Sequence, residues 1–161
     1  MVRVSLAPSK RAGERVEADQ IQRISGFEAA PKHGDDGREL PYDIICQRSV
    51  WPSRTLPFVG VLVLEQGAVV ECKSASVVVN ARQRRGRYKI KKGQHSKLVE
   101  LAGFYLFSVT APNSDTIPAS KIVPATEVTD LDFSWIDTNG GVEYGQITWT
   151  QIFDPEEVDS R

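Results

Sequence analysis

The pattern of apolar and polar positions predicts a domain in which helices and strands alternate. Apolar residues recur on one stripe between residues 11 and 25, which predicts an amphipathic helix, and Gly26 is a favourable stop for it. Continuous apolar runs then predict three strands, at 41–47, 59–64 and 68–73. Because a short turn containing Gly67 separates the last two runs, we expect them to form a hairpin.

The second half of the chain adds strands and one short helix. Between residues 82 and 92, apolar and basic positions alternate, which is typical of a half-exposed strand or of a loop lined with cations. A helix is predicted at 94–102, with Leu101 facing inward, and a buried strand at 104–109. Strand-like runs recur in the C-terminal third, at 121–128 and 145–153.

This order of elements predicts one α/β domain over residues 1–161, built on a mixed central β-sheet flanked by helices. We expect the core within residues 12–110 and a β-rich C-terminal extension at 116–161. The length supports a single domain with a real core, and 40% hydrophobic and 25% charged residues are ordinary for a soluble protein.

The net charge of −1 conceals two oppositely charged segments. Residues 74–99 contain eight Lys and Arg and no Asp or Glu, whereas residues 112–161 contain ten acids against Lys121 and Arg161. A basic segment in a nearly neutral chain marks one face, and such a face favours phosphate groups. The alternative is a solvated run of charge with no ligand.

Two cysteines and two histidines are too few and too scattered for a structural zinc site. Both Cys46 and Cys72 lie in apolar strand patterns, so we expect buried free thiols, which fit a reducing cytoplasm. No stretch approaches 18 apolar residues, so we expect neither a membrane span nor a membrane partner. Nothing in the sequence indicates a small-molecule cofactor.

The candidate chemistry lies at the end of the apolar run 68–73. Glu71 and Lys73 share one face of a strand and Cys72 points to the other. An acid beside an amine, followed by a basic segment, suggests phosphodiester chemistry. Magnesium takes hard oxygen ligands and keeps several waters, so Asp43 and Glu71 are the best ligand candidates, with the main-chain carbonyl of Cys72 and the Glu14 carboxylate as additions. Lys73 would offset charge on the phosphate.

Each of these residues has a structural alternative. Asp43 can cap the start of a strand, Glu71 and Lys73 can form a surface ion pair, and Glu14 can lie on a solvated helix face.

The motif Pro41-Tyr42-Asp43 followed by Glu71-Cys72-Lys73 resembles the PD-(D/E)xK nuclease superfamily, and most of all its archaeal Holliday junction resolvases. The resemblance covers roughly residues 12–110 and implies a restriction-endonuclease-like core. It also implies a DNA endonuclease that uses Mg²⁺ or Mn²⁺, with Asp43, Glu71 and Lys73 in the catalytic positions. Glu14 would match the family's helix glutamate, with Glu17 as the alternative. The long segment between Asp43 and Glu71 departs from the family pattern and implies an insertion at 47–64.

The basic segment supplies the candidate DNA contacts. These are Arg82, Arg84, Arg85, Arg87, Lys89, Lys91, Lys92, Gln94 and His95. Contacts to backbone phosphates carry little sequence information, so we expect structure-selective or weakly selective binding. Symmetric cutting of a branched DNA requires two sites, which predicts a homodimer. Three other interpretations stay open: a restriction- or repair-type nuclease, a DNA-binding module of the same fold without cleavage, and an interaction protein that docks a partner through its acidic C-terminal region.

Overall fold

The structure is a computed structural model that describes residues 8–78, 85–112, 116–137 and 140–159. The helices are α1 Pro8–Arg23, α2 Lys92–Glu100, α3 Ala125–Thr129 and α4 Pro155–Asp159, with a 3-10 turn at Trp149–Gln151. The strands are β1 Phe27–Ala29, β2 Ile44–Cys46, β3 Val69–Ser76, β4 Arg87–Lys91, β5 Phe104–Thr110, β6 Ala119–Pro124, β7 Ile136–Asp137 and β8 Glu143–Thr148.

A five-stranded sheet in the order β1-β2-β3-β5-β6 forms the centre of the fold. Strands β3 and β5 run parallel, and the other neighbouring pairs are antiparallel. A parallel pair needs a long crossover, and here the crossover carries β4 and α2. The predicted mixed sheet flanked by helices is therefore confirmed.

The two faces of this sheet bury separate apolar clusters, because successive side chains of each strand point to opposite sides. On one face, Val70 and Leu106 pack with Ile21 of α1 and with Ile24, which directly follows this helix. The same face holds a polar contact, in which buried Gln20 donates to Ser120 Oγ at 2.8 Å and fixes α1 to the sheet. The larger cluster on the other face includes residues of β5, α2, α3 and a second sheet.

The second sheet has three strands in the order β4-β8-β7. Within β4, Tyr88 and Ile90 are fully buried while the residues on either side are exposed, so the predicted half-exposed strand is confirmed for residues 87–91. The strand begins beside the end of β3, where Gly86 donates to Ser76 O at 3.0 Å. A Cβ at Gly86 would overlap the Ser76 backbone, so glycine is required for this close approach.

The predicted hairpin of 59–64 with 68–73 is wrong. Strand β3 pairs instead with β2, and the segment 59–64 contains no regular strand. Gly60 has a positive φ of 67°, which turns the chain out of the extended conformation, and Leu64 forms only an isolated bridge with Val50. The apolar run reflects separate anchoring positions along an irregular segment.

Two helix boundaries also differ from expectation. Helix α1 begins at Pro8, three residues earlier than predicted, since proline is tolerated in the first turn of a helix. Helix α2 ends at Glu100, which leaves Leu101 exposed at the cap in contrast to the predicted inward orientation. Within the described ranges, no helix has both the length and the apolar character needed to cross a membrane.

Candidate active site

The pairing of β2 with β3 brings Asp43 and Glu71 together. Ile44 lies opposite Val70 in this antiparallel pair, and continuing the register places Asp43 opposite Glu71. The Asp43 carboxylate is held in place, because its Oδ2 accepts a hydrogen bond of 2.9 Å from the backbone N–H of Cys72. Two acids separated by 28 positions in sequence thus meet at the same point of the central sheet.

Glu71 is the most buried acid of this site, with 3% of its surface exposed. Burial raises the pKa of its carboxyl group well above the usual range, and a hydrogen bond with the Asp43 carboxyl raises this pKa further. The Lys73 ammonium opposes these effects. Burial and this hydrogen bond therefore favour the protonated form of Glu71 when no cation is present.

Lys73 and Gln94 complete the surroundings of Glu71. Lys73 Nζ lies 3.7 Å from Glu71 Oε2, on the same strand face, as the alternation of β3 predicts. Gln94, near the start of α2, donates to Glu71 Oε2 and also to the Pro41 carbonyl at 3.4 Å. Its carbonyl oxygen accepts a long contact of 3.5 Å from Lys73. Gln94 thus links the acid, the amine and the chain before β2.

The helix carboxylate nearest to this pair is Glu17. Burial raises the pKa of Glu17 to about 7, and the neighbouring charge of Asp43 contributes to the shift. Glu14, the predicted metal ligand, is exposed and lies further round α1. The structure therefore brings the alternative helix acid toward Asp43 in place of Glu14. Val16 and Gln20, which flank Glu17 on the helix surface, are both buried, so this side of α1 faces the sheet.

The donor set fits a hard divalent cation. Asp43 and Glu71 supply two carboxylates, and Mg²⁺ is commonly bound by one or two carboxylates and several waters. Within the described ranges, no group of three or more His, Cys, Asp and Glu side chains is close enough to hold a metal ion. The fit is therefore to a site of two carboxylates, to which the Cys72 main-chain carbonyl is the predicted addition.

The Cys72 side chain itself is not part of this chemistry. It packs against the α1 side of the sheet, on the face opposite to Glu71 and Lys73. Burial raises the pKa of the thiol well above its usual range, and the nearby carboxylates raise it further, so the thiol stays protonated. The expected burial of Cys46 is also observed, and both cysteines are free thiols.

The exposed side of β4 carries the described part of the basic segment. Arg87, Lys89 and Lys91 all point outward from this strand. Lys89 Nζ lies 4.0 Å from the ring centroid of Tyr144 on β8. Lys92 begins α2 and forms an exposed ion pair of 3.0 Å with Glu143.

Three other predicted contacts precede β4 in the sequence. Arg85 is exposed and lies over the ring of Trp149. Arg82 and Arg84 lie outside the described residues.

His95 does not fit the predicted role of a phosphate contact. Only 5% of its surface is exposed, and its two ring nitrogens lie 2.8 Å from the hydroxyls of Tyr105 and Thr129. Burial lowers the pKa of the ring, so a neutral imidazole is favoured. His95 fixes α2 against β5 and α3, and its ring is therefore not placed for contact with a phosphate. Gln94, predicted as a DNA contact, contacts the carboxylate pair instead, which no feature of its local sequence indicates.

A comparison with protein families gives one match for this arrangement. The model of a PD-(D/E)XK nuclease superfamily domain matches residues 4–154. This span includes the carboxylate pair, Lys73, Gln94 and the eight strands found in the described residues. No curated protein matches the sequence.

Proposed function

The chain belongs to the PD-(D/E)XK nuclease superfamily, and from this premise we propose that it is a metal-dependent DNA endonuclease. The observation that carries the proposal is the pair of half-buried Asp43 and buried Glu71, which lies beside Lys73 at the centre of the sheet. A buried carboxyl group is costly to ionise, and a cation of high charge density offsets that cost.

Each residue of the site has a distinct role in this proposal. Asp43 and Glu71 would hold Mg²⁺ or Mn²⁺, together with the Cys72 carbonyl, and Glu17 would add negative charge nearby. The cation would supply Lewis-acid activation of water and neutralise charge on the scissile phosphate. Lys73 places a fixed positive charge where negative charge increases during phosphodiester hydrolysis. Gln94 positions the Glu71 carboxylate through its amide.

The basic side of β4 leads directly to this site, which supports DNA as the substrate. Lys91 and Lys92 precede Gln94 by only three and two residues, so the row of cations ends close to the carboxylate pair. Cations two residues apart on a strand are about 7 Å apart, which suits successive contacts to a polyanion. Arg87, Lys89 and Lys91 would contact backbone phosphates and position the DNA without reading bases.

The narrower proposal is that the DNA is branched and that two copies of the chain act on it. It rests on the motif resemblance to the junction resolvases and on contacts that are directed at phosphates. A second candidate is a DNA-binding module of the same fold that does not cleave. One observation favours it: within the described ranges only two acids form a close pair, and Glu71 is already in contact with Gln94 and Lys73.

The test is cleavage of a four-way DNA junction and of a linear duplex of matched sequence, with and without Mg²⁺. Glu71→Gln keeps the shape of the side chain and removes the charge, and it should abolish cleavage. Glu100→Gln is the matched control, because Glu100 is an exposed acid at the end of α2. Circular dichroism of both variants verifies that they are folded.

Each outcome selects one proposal. Mg²⁺-dependent cleavage of the junction alone, lost in Glu71→Gln and kept in Glu100→Gln, supports the branched-DNA endonuclease. Cleavage of both DNAs supports a general or restriction-type nuclease. Binding of DNA with no cleavage under any condition refutes the endonuclease and supports the binding module.

A further inference from the structure

The segment between β2 and β3 is irregular but firmly anchored. Val50, Leu56 and Leu64 are buried in the cluster on the α1 side of the central sheet. Val50 and Leu64 exchange two backbone hydrogen bonds, of 2.7 and 2.9 Å. Leu56 N donates to the hydroxyl of Ser53 at 3.1 Å, which closes a tight loop. Residues that lie between these anchors are therefore presented in a defined conformation.

Trp51 follows the first of these anchors, and 68% of its surface is exposed. Tryptophan carries a large apolar ring that folding normally buries, so a ring presented to solvent on a fixed loop suggests a ligand. The ring borders a cleft of about 380 Å³. Its base is apolar, formed by buried Val50 and Leu56 with Ile24 beside them.

The rim of this cleft has the chemistry of an anion site. Arg23, at the end of α1, and Arg48, just after β2, both line it. Arg48 donates to the Ser25 hydroxyl, and Arg23 forms an exposed pair with Asp19 at 3.5 Å. A guanidinium has five N–H donors, so such contacts can orient it and leave donors for a ligand. Among the described residues that line the cleft, none is acidic.

Four hydroxyl groups add hydrogen-bonding capacity around the ring. They belong to Ser25, Ser49, Ser53 and Thr55. A flat aromatic surface, two guanidinium groups and several hydroxyls complement a ligand with a planar ring, an anionic group and polar atoms between them. A lipid surface would require a broader apolar area.

We propose that this cleft binds an unpaired nucleotide, with its base stacked on Trp51 and its phosphate bound by Arg48 and Arg23. Stacking on an aromatic ring tolerates every base, so the site selects for the unpaired state and not for sequence. The proposal deepens the proposed function, and rests on it for the identity of the polymer.

The cleft and the carboxylate pair lie at opposite ends of β2, with the cleft on the α1 side of the sheet. Residue 47 follows β2 and Asp43 precedes it, so about 13 Å of strand separates the two ends. This distance corresponds to about four nucleotides at the rise of a DNA strand. An unpaired base at a junction or a flap would be held there while the neighbouring strand occupies the site.

The test measures binding in EDTA, with Glu71→Gln as the background, so that cleavage plays no part. The probes are a fluorescent eight-nucleotide oligothymidylate and an abasic oligonucleotide of the same length, measured by anisotropy. We expect the thymidylate to bind roughly ten-fold more tightly. Trp51→Ala should abolish this preference, and Trp51→Phe should keep most of it. Arg48→Ala should weaken binding of both probes.

The matched control is Leu62→Ala, which removes an exposed apolar side chain of the same segment that does not line the cleft. An equal preference in the Trp51→Ala and Leu62→Ala variants overturns the proposal, as does equal binding of the two probes by the parent chain. Competition between thymidine monophosphate and the labelled oligothymidylate distinguishes a cleft that binds free nucleotides from one that binds a nucleotide within a strand. Both results agree with the proposed stacking and phosphate contacts.

Failure of this inference and failure of the proposed function give different results. If the protein cleaves no DNA but the base preference depends on Trp51, the cleft binds nucleotides and the endonuclease is refuted. If the protein cleaves junctions and Trp51→Ala leaves the base preference unchanged, only the nucleotide cleft is refuted.

Discussion

The variant Asp43→Asn tests two properties of the acidic site separately: the repulsion between its charged groups and its capacity to bind a cation. The asparagine side chain can still accept the hydrogen bond from the Cys72 N–H, and its amide can donate to Glu71. The change therefore removes one charge and keeps the local geometry. Without metal, the negative charge of Asp43 raises the pKa of Glu17, and this unfavourable interaction disappears in the variant.

The expected gain in the free energy of unfolding of Asp43→Asn is small. One pKa unit corresponds to about 1.4 kcal/mol, and screening by solvent around a half-buried Glu17 reduces the effect to about 0.5–1 kcal/mol. In EDTA at pH 8, Asp43→Asn should therefore unfold with a free energy equal to or slightly above that of the parent chain. Replacing a buried hydrogen-bonded residue usually destabilises a protein, so this direction is specific to the acidic site.

In the presence of Mg²⁺, the parent chain should become more stable to unfolding than Asp43→Asn. A ligand at a hundred times its dissociation constant stabilises the folded state by about 2.7 kcal/mol, which corresponds to a rise in Tm of roughly 5–10 °C for a domain of this size. The parent chain should show this rise and Asp43→Asn should not. The assay is thermal and urea unfolding with and without Mg²⁺, with the exposed Asp132→Asn as control. An equal rise in Tm on addition of Mg²⁺ in Asp43→Asn and Asp132→Asn would refute Asp43 as a ligand.

Two further predictions concern the surface and the interior. Lys89→Ala and Lys91→Ala should each lower the slope of log affinity against log salt by about 0.9 for duplex DNA, as measured by anisotropy titrations. Lys97→Ala, on α2, is the comparison, and equal slopes in all three variants would contradict a phosphate-binding β4. Burial lowers the pKa of His95, so the unfolded chain binds a proton at this residue more readily than the folded chain. The contribution of neutral His95 to the free energy of unfolding is therefore complete above pH 6.5, and it decreases as the pH falls below that value. His95→Gln should cost about 1–3 kcal/mol in urea unfolding at pH 8, and this cost should shrink toward pH 5; a constant difference would contradict the buried neutral ring.

Features that depend on neighbouring residues in the chain could be predicted from the sequence. The two-residue period of a strand placed Glu71 and Lys73 on one face and Cys72 on the other, and it predicted the exposed cations of β4. The apolar run at 104–109 became β5, which is buried on both faces of the sheet, as a continuous apolar run predicts. In each case, the side-chain direction follows from local geometry alone.

Features that depend on distant contacts could not be predicted. The pairing of β2 with β3 is decided by packing across a long irregular segment, and the competing apolar run at 59–64 had a stronger local signal than the three residues of β2. The burial of His95 follows from where Tyr105 and Thr129 lie in the fold. Likewise, the orientation of α1 about its own axis decides whether Glu17 or Glu14 lies near Asp43.

If β4 binds DNA as proposed, the connection between β4 and α2 would couple that binding to the state of the carboxylate pair. Lys91 is the last residue of β4 and the N-terminal cap of α2, so a phosphate bound there contacts the residue at which the helix begins. Gln94 lies within the first turn of the same helix and donates to Glu71. Since a helix start is held by few hydrogen bonds of its own, an anion at Lys91 and Lys92 stabilises that turn and the position of the Gln94 amide. The proposed phosphate binding and the orientation of Glu71 would therefore be linked through one short, continuous piece of backbone.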